Sequence, residues 1–476
     1  MINIGKPYRK LPYRVYLLLL SAGIGLAVLS GCASFFSTAA KPNILLILVD
    51  DLGLGDLTCY GAPDMHTPNI DELAAKGMLF TNFYGASPVC SPTRAALLSG
   101  RNPYAIGVPG VIRANKADSW GYLSTQVTLL PEWLGQQGYY TGLVGKWHLG
   151  LELPNLPNER GFEHFAGFLS DKMDDYYTHL REGKQYLRIN SAPVEPKGHA
   201  TEIFTRWACD FIATSAEQQR PFFLYLAYNA PHNPIQPPPE WISNYKKQFP
   251  KADEKRALYG AFVAHLDQQI GLVLQALQKA GAEQNTLVVF TSDNGAALPH
   301  GGSNGSYHSG KPTLYEGGLR VPAMVRFPGV VKPAQQSDVF ALTTDIMPTI
   351  CQMLDQPPQN CPPTDGISFW HILTNQTTNN HSIKPTLRQI FWTVRDADGI
   401  FGKGSTLEAL RKGNLKIMRT LPDSLPELYD LAADPLETIN LADTHAQVYR
   451  QLLTELDSIK NRVNAIPYQS QAVWGR

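Results

Sequence analysis

The sequence predicts an α/β fold organised on a mostly parallel sheet, and two observations carry this prediction. Three apolar runs, Asn43–Val49, Pro221–Tyr228 and Thr286–Thr291, are unbroken and rich in β-branched or aromatic residues. Runs of this kind indicate strands that are buried on both faces, as in a parallel sheet. Helix-forming segments lie between the runs, which is the alternation typical of α/β proteins.

Length and charge limit the classes of function. The chain has 476 residues, and Lys plus Arg and Asp plus Glu number 41 each. A net charge of zero gives no general attraction to nucleic acid, so any anion must be bound by a local site. About 435 residues follow the N-terminal segment, which is enough for one large domain and a smaller one.

The N-terminal segment is predicted to be a targeting signal rather than part of the fold. Basic residues precede an apolar run at 15–29, and the sequence LSGC follows, ending at Cys32. This order is typical of a secretory signal. LSGC resembles a bacterial lipobox, which predicts a lipoprotein signal peptide over 1–31 and a lipidated tether over 32–41. Ala33 rather than Asp after the Cys is compatible with sorting to the outer membrane. An ordinary cleaved signal and an uncleaved anchor are the alternatives.

The remaining elements of the main domain are predicted from helix caps and periodicity. Asp and Glu in a first turn and Gly after a last turn mark the helices. The predicted helices are Thr67–Gly77, Leu129–Gln137, Thr201–Glu217, Asp253–Ala280 and Asp345–Leu354. A further strand is predicted over Tyr139–Val144. Residues 151–215 show no clear period, and we predict a loop and hairpin region over the pocket. From about residue 384, the short runs QIFWTV, KIMRT and ELYDL predict an antiparallel sheet covered by a helix over Ala446–Val463.

The segment around Cys90 places a thiol where an anion binds. Pro92 suits the first turn of a helix, and RAALLSG continues that helix until Gly100. Cys90 therefore lies at or just before a helix N-terminus, where free N–H groups and the helix dipole favour negative charge. The alternative is a half-buried Cys that merely opens a helix.

Acidic, basic and imidazole side chains follow four separate predicted strands. They are Asp50 and Asp51, Lys146 and His148, His232, and Asp293 and Asn294. In an open α/β sheet the carboxyl ends of the strands share one edge, where ligands bind. The sequence therefore predicts a functional site built from these residues.

Adjacent carboxylates at this edge predict a cation. Asp50 and Asp51 would repel each other directly after a buried strand unless a cation lay between them. Asp293 and Asn294 add hard oxygen ligands, the kind that calcium prefers, whereas a thiolate and imidazole set for zinc is missing. The Cys residues away from this region, including Cys351 and Cys361, lack metal-ligand spacing; a Cys351–Cys361 bridge is allowed in an oxidising compartment and is left open.

Five motifs resemble the type I, formylglycine-dependent sulfatases, in the order that this family has them. They are DDLG at 50–53, CSPTR with AALLSGR at 90–101, GKWHLG at 145–150, GKPTLYEGGLRVP at 310–322 and LYDLAADPLETINLA at 428–442. Thr93 stands where many relatives have Ser. The likeness covers nearly all of residues 42–445 and is weakest in 151–215. The overall pattern is similar to arylsulfatase A and N-acetylgalactosamine-6-sulfatase relatives.

This resemblance implies a fold and a domain division. We expect the alkaline-phosphatase-like α/β/α sandwich, with a large mixed, mostly parallel sheet and a smaller C-terminal α+β subdomain that contains an antiparallel sheet. The catalytic domain is expected over 42–383 and the C-terminal subdomain with its final helix over 384–476.

The resemblance also implies the roles of individual residues in sulfate ester hydrolysis. A maturation enzyme would oxidise Cys90 to formylglycine, whose hydrate is the nucleophile. One calcium ion would be held by Asp50, Asp51, Asp293 and Asn294 together with the modified Cys90. Arg94 would hold the modified residue, and Lys146 and Lys311 would neutralise charge on the transferred sulfate. His232 or Lys311 would protonate the leaving alcohol, and His148 would assist the return to aldehyde.

Three other functions stay open from the sequence. A formylglycine-dependent phosphonate monoester or phosphodiester hydrolase would share the fold, although GKWHLG and the Asp-Asn pair at 293–294 favour a sulfatase. A sulfated-glycan-binding lipoprotein would result if Cys90 is never oxidised. A phosphatase with two zinc ions is the least favoured, for want of His ligands. The expected substrate is a sulfated polysaccharide or an aryl sulfate.

Overall fold

A ten-stranded sheet forms the centre of the fold, and the apolar runs are its middle strands. The computed structural model describes residues 41–115, 119–375, 388–395, 404–422 and 424–463. The strands are β1 Asn43–Val49, β2 Met78–Phe80, β3 Phe83–Tyr84, β4 Tyr140–Lys146, β5 His164–Phe168, β6 Leu180–Arg181, β7 Lys184–Gln185, β8 Leu187–Ile189, β9 Ala192–Pro193, β10 Phe222–Ala227, β11 Thr286–Ser292, β12 Ala323–Arg326, β13 Gln335–Ser337, β14 Ala341–Leu342, β15 Gln389–Arg395, β16 Thr406–Lys412, β17 Leu415–Leu421 and β18 Glu427–Asp430. Within this part of the chain no helix is long and apolar enough to cross a membrane.

The large sheet is mixed, with a parallel centre, which confirms the predicted fold class. Its order is β13-β2-β12-β11-β1-β10-β4-β5-β8-β9. β11, β1, β10, β4 and β5 are parallel neighbours, whereas β12 is antiparallel to both β11 and β2. Such a parallel centre needs cover on both faces, because neither face of its strands is polar.

Helices supply that cover. They are α1 Pro68–Ala75, α2 Cys90–Ser99, α3 Leu130–Gln136, α4 Ala200–Glu217, α5 Pro239–Gln248, α6 Glu254–Lys279, α7 Glu316–Leu319, α8 Ile346–Met353, α9 Trp370–Leu373 and α10 Ala446–Arg462. Successive residues of β1 face opposite sides: Leu46 belongs to a core that includes α2, α3 and α8, and Leu45 belongs to one that includes α1, α4 and α6. The molecule is therefore the expected α/β/α sandwich.

Residues 151–215 contain more of the sheet than the sequence indicated. Hairpins are present there, as predicted, but β5 also extends the parallel centre beside β4. Gly167 of β5 allows this approach, because a Cβ there would lie 2.0 Å from the carbonyl oxygen of Gly145. The prediction of loop and hairpin alone was therefore incomplete.

A second, four-stranded antiparallel sheet follows in the order β15-β16-β17-β18. Three of its strands match the predicted runs, and β16 was not predicted. One face packs against α10 through Leu452 and Leu456, and the other contacts Tyr84 and Leu319 of the main domain. The predicted boundary at 383/384 falls outside the described residues and stays a prediction, as do the signal peptide, the tether and the lipid on Cys32.

The predicted helices are present with small shifts at their ends. α2 begins at Cys90 rather than at Pro92, so Cys90 is the first helical residue. It ends at Gly100, whose φ of 65° and N–H bond to Ala96 O form the expected left-handed cap. Cys351 and Cys361 are free thiols in this structure.

Candidate active site

The carboxyl ends of neighbouring strands meet at one edge of the large sheet, and the candidate residues lie there. Backbone hydrogen bonds continue the strand alignment past its end: Asp50 N donates to Ala230 O, and Asp293 N donates to Val49 O, both at 3.2 Å. Lys146 is itself the last residue of β4, paired with Phe168 of β5, rather than part of the loop that follows. The structure brings into this region Asp50, Asp51, Cys90, Arg94, Lys146, His148, His232, Asp293, Asn294 and Lys311.

The backbone at this edge is unusually constrained. Gly145 has a φ of 107°, and a Cβ there would lie 2.0 Å from Ala227 O, so only glycine fits between β4 and β10. Asp51 and His148 have φ values of 67° and 61°, which is uncommon for residues with a side chain. Strain of this kind concentrates where function fixes side-chain direction.

Cys90 lies at the centre of the cluster, at the N-terminus of the fully buried helix α2. Its Sγ is 3.3 Å from Asp50 Oδ1, and Lys311 Nζ lies 3.3 Å from Sγ. Burial first, and then the charges of Asp293 and Asp50, raise the pKa of this thiol well above its usual value. A thiol that stays protonated is a poor nucleophile, so the unmodified side chain does not suit the position chemically.

The carboxylates of the cluster are paired with cations. Lys146 Nζ donates to Asp50 Oδ2 at 2.6 Å, and Lys311 Nζ donates to the two oxygens of Asp51 at 2.8 and 2.9 Å. Burial raises the pKa of Asp50, but the surrounding cations, Lys146 foremost, hold it well below its usual value. Burial and the charge of Asp50 raise the pKa of Asp293 to about 7. The negative charges of Asp50, Asp51 and Asp293 therefore repel one another.

These oxygens fit a hard divalent cation. Ligand atoms of Asp50, Asp51, Cys90 and His232 lie within 4.8 Å of one another. Asn294 Nδ2 donates to Asp51 Oδ1 at 2.8 Å and to Gly295 O at 2.9 Å. The buried Asn294 Oδ1 has no hydrogen-bond partner among the described residues. An orphaned amide oxygen beside crowded carboxylates matches a calcium shell, and His232 is the less suitable ligand because calcium prefers oxygen.

His148 is held as a neutral imidazole with one free nitrogen. Its Nε2 lies 2.7 Å from Ile112 O, and because a carbonyl only accepts, Nε2 carries the proton. Nδ1 is buried and has no partner among the described residues. Burial, then Lys146 and Arg94, bring the pKa of His148 well below its usual value. A neutral ring with an available lone pair can accept a proton.

His232 lies on the opposite side of the carboxylates, in the loop after β10. Its Nδ1 lies 2.8 Å from Asn233 O, so Nδ1–H donates and Nε2 is the nitrogen that lies 3.6 Å from Asp51 Oδ2. The Tyr176 hydroxyl donates to His232 O at 2.9 Å and holds the loop. Burial lowers the pKa of His232 to about 4.

Arg94 fixes the acidic side of the cluster. Its Nη2 and Nε donate to Asp293 Oδ2 at 2.7 and 3.1 Å, and its Nη1 donates to Lys146 O at 3.2 Å. The guanidinium is fully buried. The structure therefore shows Arg94 orienting Asp293 and the end of β4, one helical turn below Cys90.

A cavity of about 320 Å³ opens onto Cys90, His148, His232 and Lys311. Its mouth is lined by side chains that the sequence did not single out: Arg113, Asp171, Lys172, Arg181, Asn233 and His300. Asp171 and Lys172 lie in the charged, non-periodic stretch DKMDD after β5, and nothing in the sequence indicated the other four. Charge without periodicity does not show which residues face a ligand.

Comparisons with known proteins agree with the fold and the motifs. The family model described as Sulfatase matches residues 42–356, and the one described as N-sulphoglucosamine sulphohydrolase, C-terminal, matches residues 305–462. Human N-acetylgalactosamine-6-sulfatase is 33% identical over 471 residues, covering 90% of this chain and 87% of that protein. Human arylsulfatase A is 32% identical over 479 residues, covering 91% and 90%.

Among solved structures, Ps i-CgsB in complex with k-i-k-neocarrahexaose superposes with a TM-score of 0.79 and 28% identity, covering 91% of this chain and 96% of that one. A second structure, from work on the metabolism of multiple glycosaminoglycans by Bacteroides thetaiotaomicron, has a TM-score of 0.71 and 26% identity, covering 89% and 100%. The matched family model spans more than half of the chain, and the curated relatives exceed 30% identity over most of it. The chain belongs to the sulfatase family and is a sulfuric ester hydrolase.

Proposed function

We propose that this sulfatase removes sulfate from sulfated carbohydrate, using formylglycine derived from Cys90 and one calcium ion. The observation that carries the proposal is the position of Cys90, between the carboxylates Asp50 and Asp51 and the ammonium of Lys311. The related N-acetylgalactosamine-6-sulfatases and the superposed structure with neocarrahexaose support a sugar sulfate as substrate.

Calcium would be held by the side-chain oxygens of Asp50, Asp51, Asp293 and Asn294, together with the modified residue 90. Calcium, when bound there, would polarise a sulfate oxygen and acidify the nucleophilic hydroxyl. Arg94 would keep Asp293 in place through its two hydrogen bonds. Lys146, fully buried beneath the cavity, would hold Asp50 and add positive charge near the transferred group.

Proton transfers are assigned to three side chains. The free Nδ1 of His148 would accept a proton from the oxygen carried by residue 90. His232 or Lys311 would donate one to the departing alcohol, because both line the cavity beside Asp51. Lys311 carries its proton already, whereas His232 would first have to take one up on Nε2, since its Nδ1–H is bonded to Asn233 O. Lys311 would also stabilise negative charge on the sulfate, since its ammonium is within hydrogen-bond distance of position 90.

The experiment is hydrolysis of 4-nitrophenyl sulfate and of an aryl phosphodiester by protein co-produced with a formylglycine-generating enzyme. Mass spectrometry of the Cys90 peptide records conversion, and Cys90→Ala and chelated samples are the controls. We expect sulfate turnover that both controls abolish. Preferred diester turnover would assign the chain to diester hydrolysis instead. Converted protein without turnover of 4-nitrophenyl sulfate or any sugar sulfate would contradict the proposal.

A separate proposal concerns location. We propose that the protein is exported and anchored in the bacterial envelope, in the outer membrane, through a lipid on Cys32; the supporting observation is the LSGC sequence after an apolar run. Labelled palmitate should enter the native protein and be absent from Cys32→Ala in a bacterial host. Equal labelling of both proteins, or of neither, would refute the anchor.

A further inference from the structure

The mouth of the active-site cavity carries a positive charge that the site described above does not use. Lys172 and Arg181 come from the segment after β5, and His300 comes from the turn after β11. These segments are far apart in sequence, and both line the cavity. Lys172 and His300 are close enough for the ammonium charge to act on the imidazole.

Most ionised groups of the cavity are neutralised by a partner within the protein. Lys311 is paired with Asp51, at 2.8 Å, and Arg181 Nε donates to Asp171 Oδ1, at 2.9 Å. Asp171 is also bonded by Ser170 Oγ at 2.9 Å, so its carboxylate is satisfied. Lys172, by contrast, makes no hydrogen bond or ion pair with the residues that the structure describes.

Lys172 is less deeply buried than Lys146 and Lys311, the lysines proposed to act on the sulfate that is cleaved. The Lys146 side chain is fully buried and the Lys311 side chain is 13% exposed, whereas Lys172 is half-buried at the rim. The bidentate grip of Arg181 on Asp171 fixes the backbone next to Lys172. An unpaired ammonium held on a partly dry rim attracts an anion more strongly than one in open solvent.

His300 provides a neutral hydrogen-bonding group in the lining of the same cavity. Its ring makes no hydrogen bond with other described residues, and burial is the first cause that brings its pKa below the usual value. A neutral imidazole can donate one N–H to an oxygen without adding charge. The mouth therefore combines a cation, Lys172, with a neutral donor, His300, and such a pair suits the binding of an oxyanion.

We propose that Lys172, together with His300, binds a second anionic group of the substrate, so that the preferred substrates are sugars bearing two anionic groups near the cleaved ester. The second group is a sulfate or a carboxylate. This inference rests on the proposed function, because it concerns the same cavity.

The test compares one-anion and two-anion substrates. The probes are N-acetylgalactosamine 6-sulfate, its 4,6-disulfate, and a disaccharide that joins the 6-sulfated sugar to a uronate. Each kcat/KM is divided by that of the same enzyme for 4-nitrophenyl sulfate. The variants are Lys172→Ala, Lys172→Gln and Lys172→Glu, and the matched control is Lys184→Ala, an exposed lysine of β7 outside the cavity.

We expect the wild-type ratio to be about tenfold higher for one of the two-anion probes, and Lys172→Ala and Lys172→Gln to remove that advantage through KM. Lys172→Glu should invert the preference, and Lys184→Ala should leave it in place. Which two-anion probe is preferred distinguishes sulfate from carboxylate.

Two results would overturn the inference while leaving the proposed function intact. One is a wild-type enzyme without a two-anion preference. The other is an equal loss on every probe in the Lys172 variants, which would place Lys172 on the cleaved sulfate. A converted wild-type enzyme that turns over no sulfate ester would refute the proposed function and this inference with it.

Discussion

Lys416, in β17 of the C-terminal sheet, forms a buried ion-pair cluster next to the segment that carries Lys311. Its ammonium is fully buried between two carboxylates, 3.0 Å from Glu316 Oε1 and 2.8 Å from Glu437 Oε1. Glu316 also accepts a hydrogen bond from Arg320 at 2.7 Å, so two cations neutralise it. Lys416 is the cation that neutralises Glu437. The perturbation is Lys416→Met, which keeps most of the volume and removes the charge.

The expected loss in the free energy of unfolding follows from this difference between Glu316 and Glu437. Removing one partner of a buried ion pair typically costs about 3–5 kcal/mol, because the remaining charge stays desolvated. Glu316 would retain Arg320, so the cost falls mainly on Glu437. Burial already raises the pKa of Glu437, and loss of Lys416 should raise it further. A second substitution, Glu437→Gln, removes the orphaned charge and should return most of the free energy of unfolding.

The assay is urea unfolding of the wild type, both single variants and the double variant, followed by fluorescence and circular dichroism at pH 7. A raised carboxyl pKa destabilises the fold above that pKa, and the effect is lost as pH falls towards the unfolded value. The deficit of Lys416→Met should therefore shrink between pH 7 and about pH 5. A deficit below about 1 kcal/mol, or a double variant as unstable as Lys416→Met, would refute the reasoning.

Three further predictions concern the site and its surroundings. Asn294→Ala should weaken calcium binding at least about tenfold by titration calorimetry, while Asn294→Asp should retain it, since the orphaned Oδ1 is the proposed ligand; equal affinities would contradict that assignment. His148→Ala should lower kcat about 10²–10⁴-fold with KM for 4-nitrophenyl sulfate little changed, and an unchanged kcat would remove His148 from proton transfer. Burial raises the pKa of Asp267 to about 6, so the folded state binds the extra proton between about pH 4 and pH 6, and stability should fall as pH rises through that window, by about 2–3 kcal/mol. Asp267→Asn should flatten this part of the stability curve, and a variant with the wild-type slope would show that another group titrates there.

The parallel centre of the sheet was predictable because burial on both faces leaves a strong trace in sequence. The predicted strand Asn43–Val49 is apolar at every position after Asn43, and the structure gives β1 the same bounds. β16 was missed because TLEALRK consists of helix-forming residues after its first Thr, and pairing with β15 and β17 overrides that local preference. β5 was missed for a related reason: only its pairing with β4, made possible by Gly167, shows that HFAGF is a strand.

The centre of the site was predictable for the same topological reason, and its rim was not. Asp50 and Asp293 could be brought together from sequence because their strands are parallel neighbours. Lys172 and His300 lie on irregular segments, whose course depends on tertiary contacts such as the Arg181–Asp171 pair. No period in the sequence relates two loops to each other, so the sequence did not indicate that Lys172 and His300 line the same cavity, whereas it did indicate that the residues at the strand ends lie together.

Lys311 and Glu316 belong to one short segment that contacts both the cavity and the C-terminal sheet. Lys311 reaches Asp51 and Cys90 in the cavity, while Glu316 opens α7 and reaches Lys416 of the C-terminal sheet. Gly317 N donates to His308 O at 2.9 Å, and only a residue without a Cβ fits there, because that carbonyl would lie 2.5 Å from it. The segment is thus held rigidly at both ends.

The C-terminal sheet also contacts the chain just before Cys90. Trp392 Nε1 donates to Gly85 O at 3.1 Å, and Arg411 Nη1 donates to Tyr84 OH at 2.6 Å, a few residues before Cys90. Tyr84 in turn donates to Glu316 Oε2 at 2.5 Å, which closes a buried network between the two approaches to the cavity. Because a misplacement of about 1 Å can cost two orders of magnitude in rate, the C-terminal sheet should act on catalysis as well as on stability. Lys416→Met should therefore lower kcat for 4-nitrophenyl sulfate even under conditions where the protein remains folded.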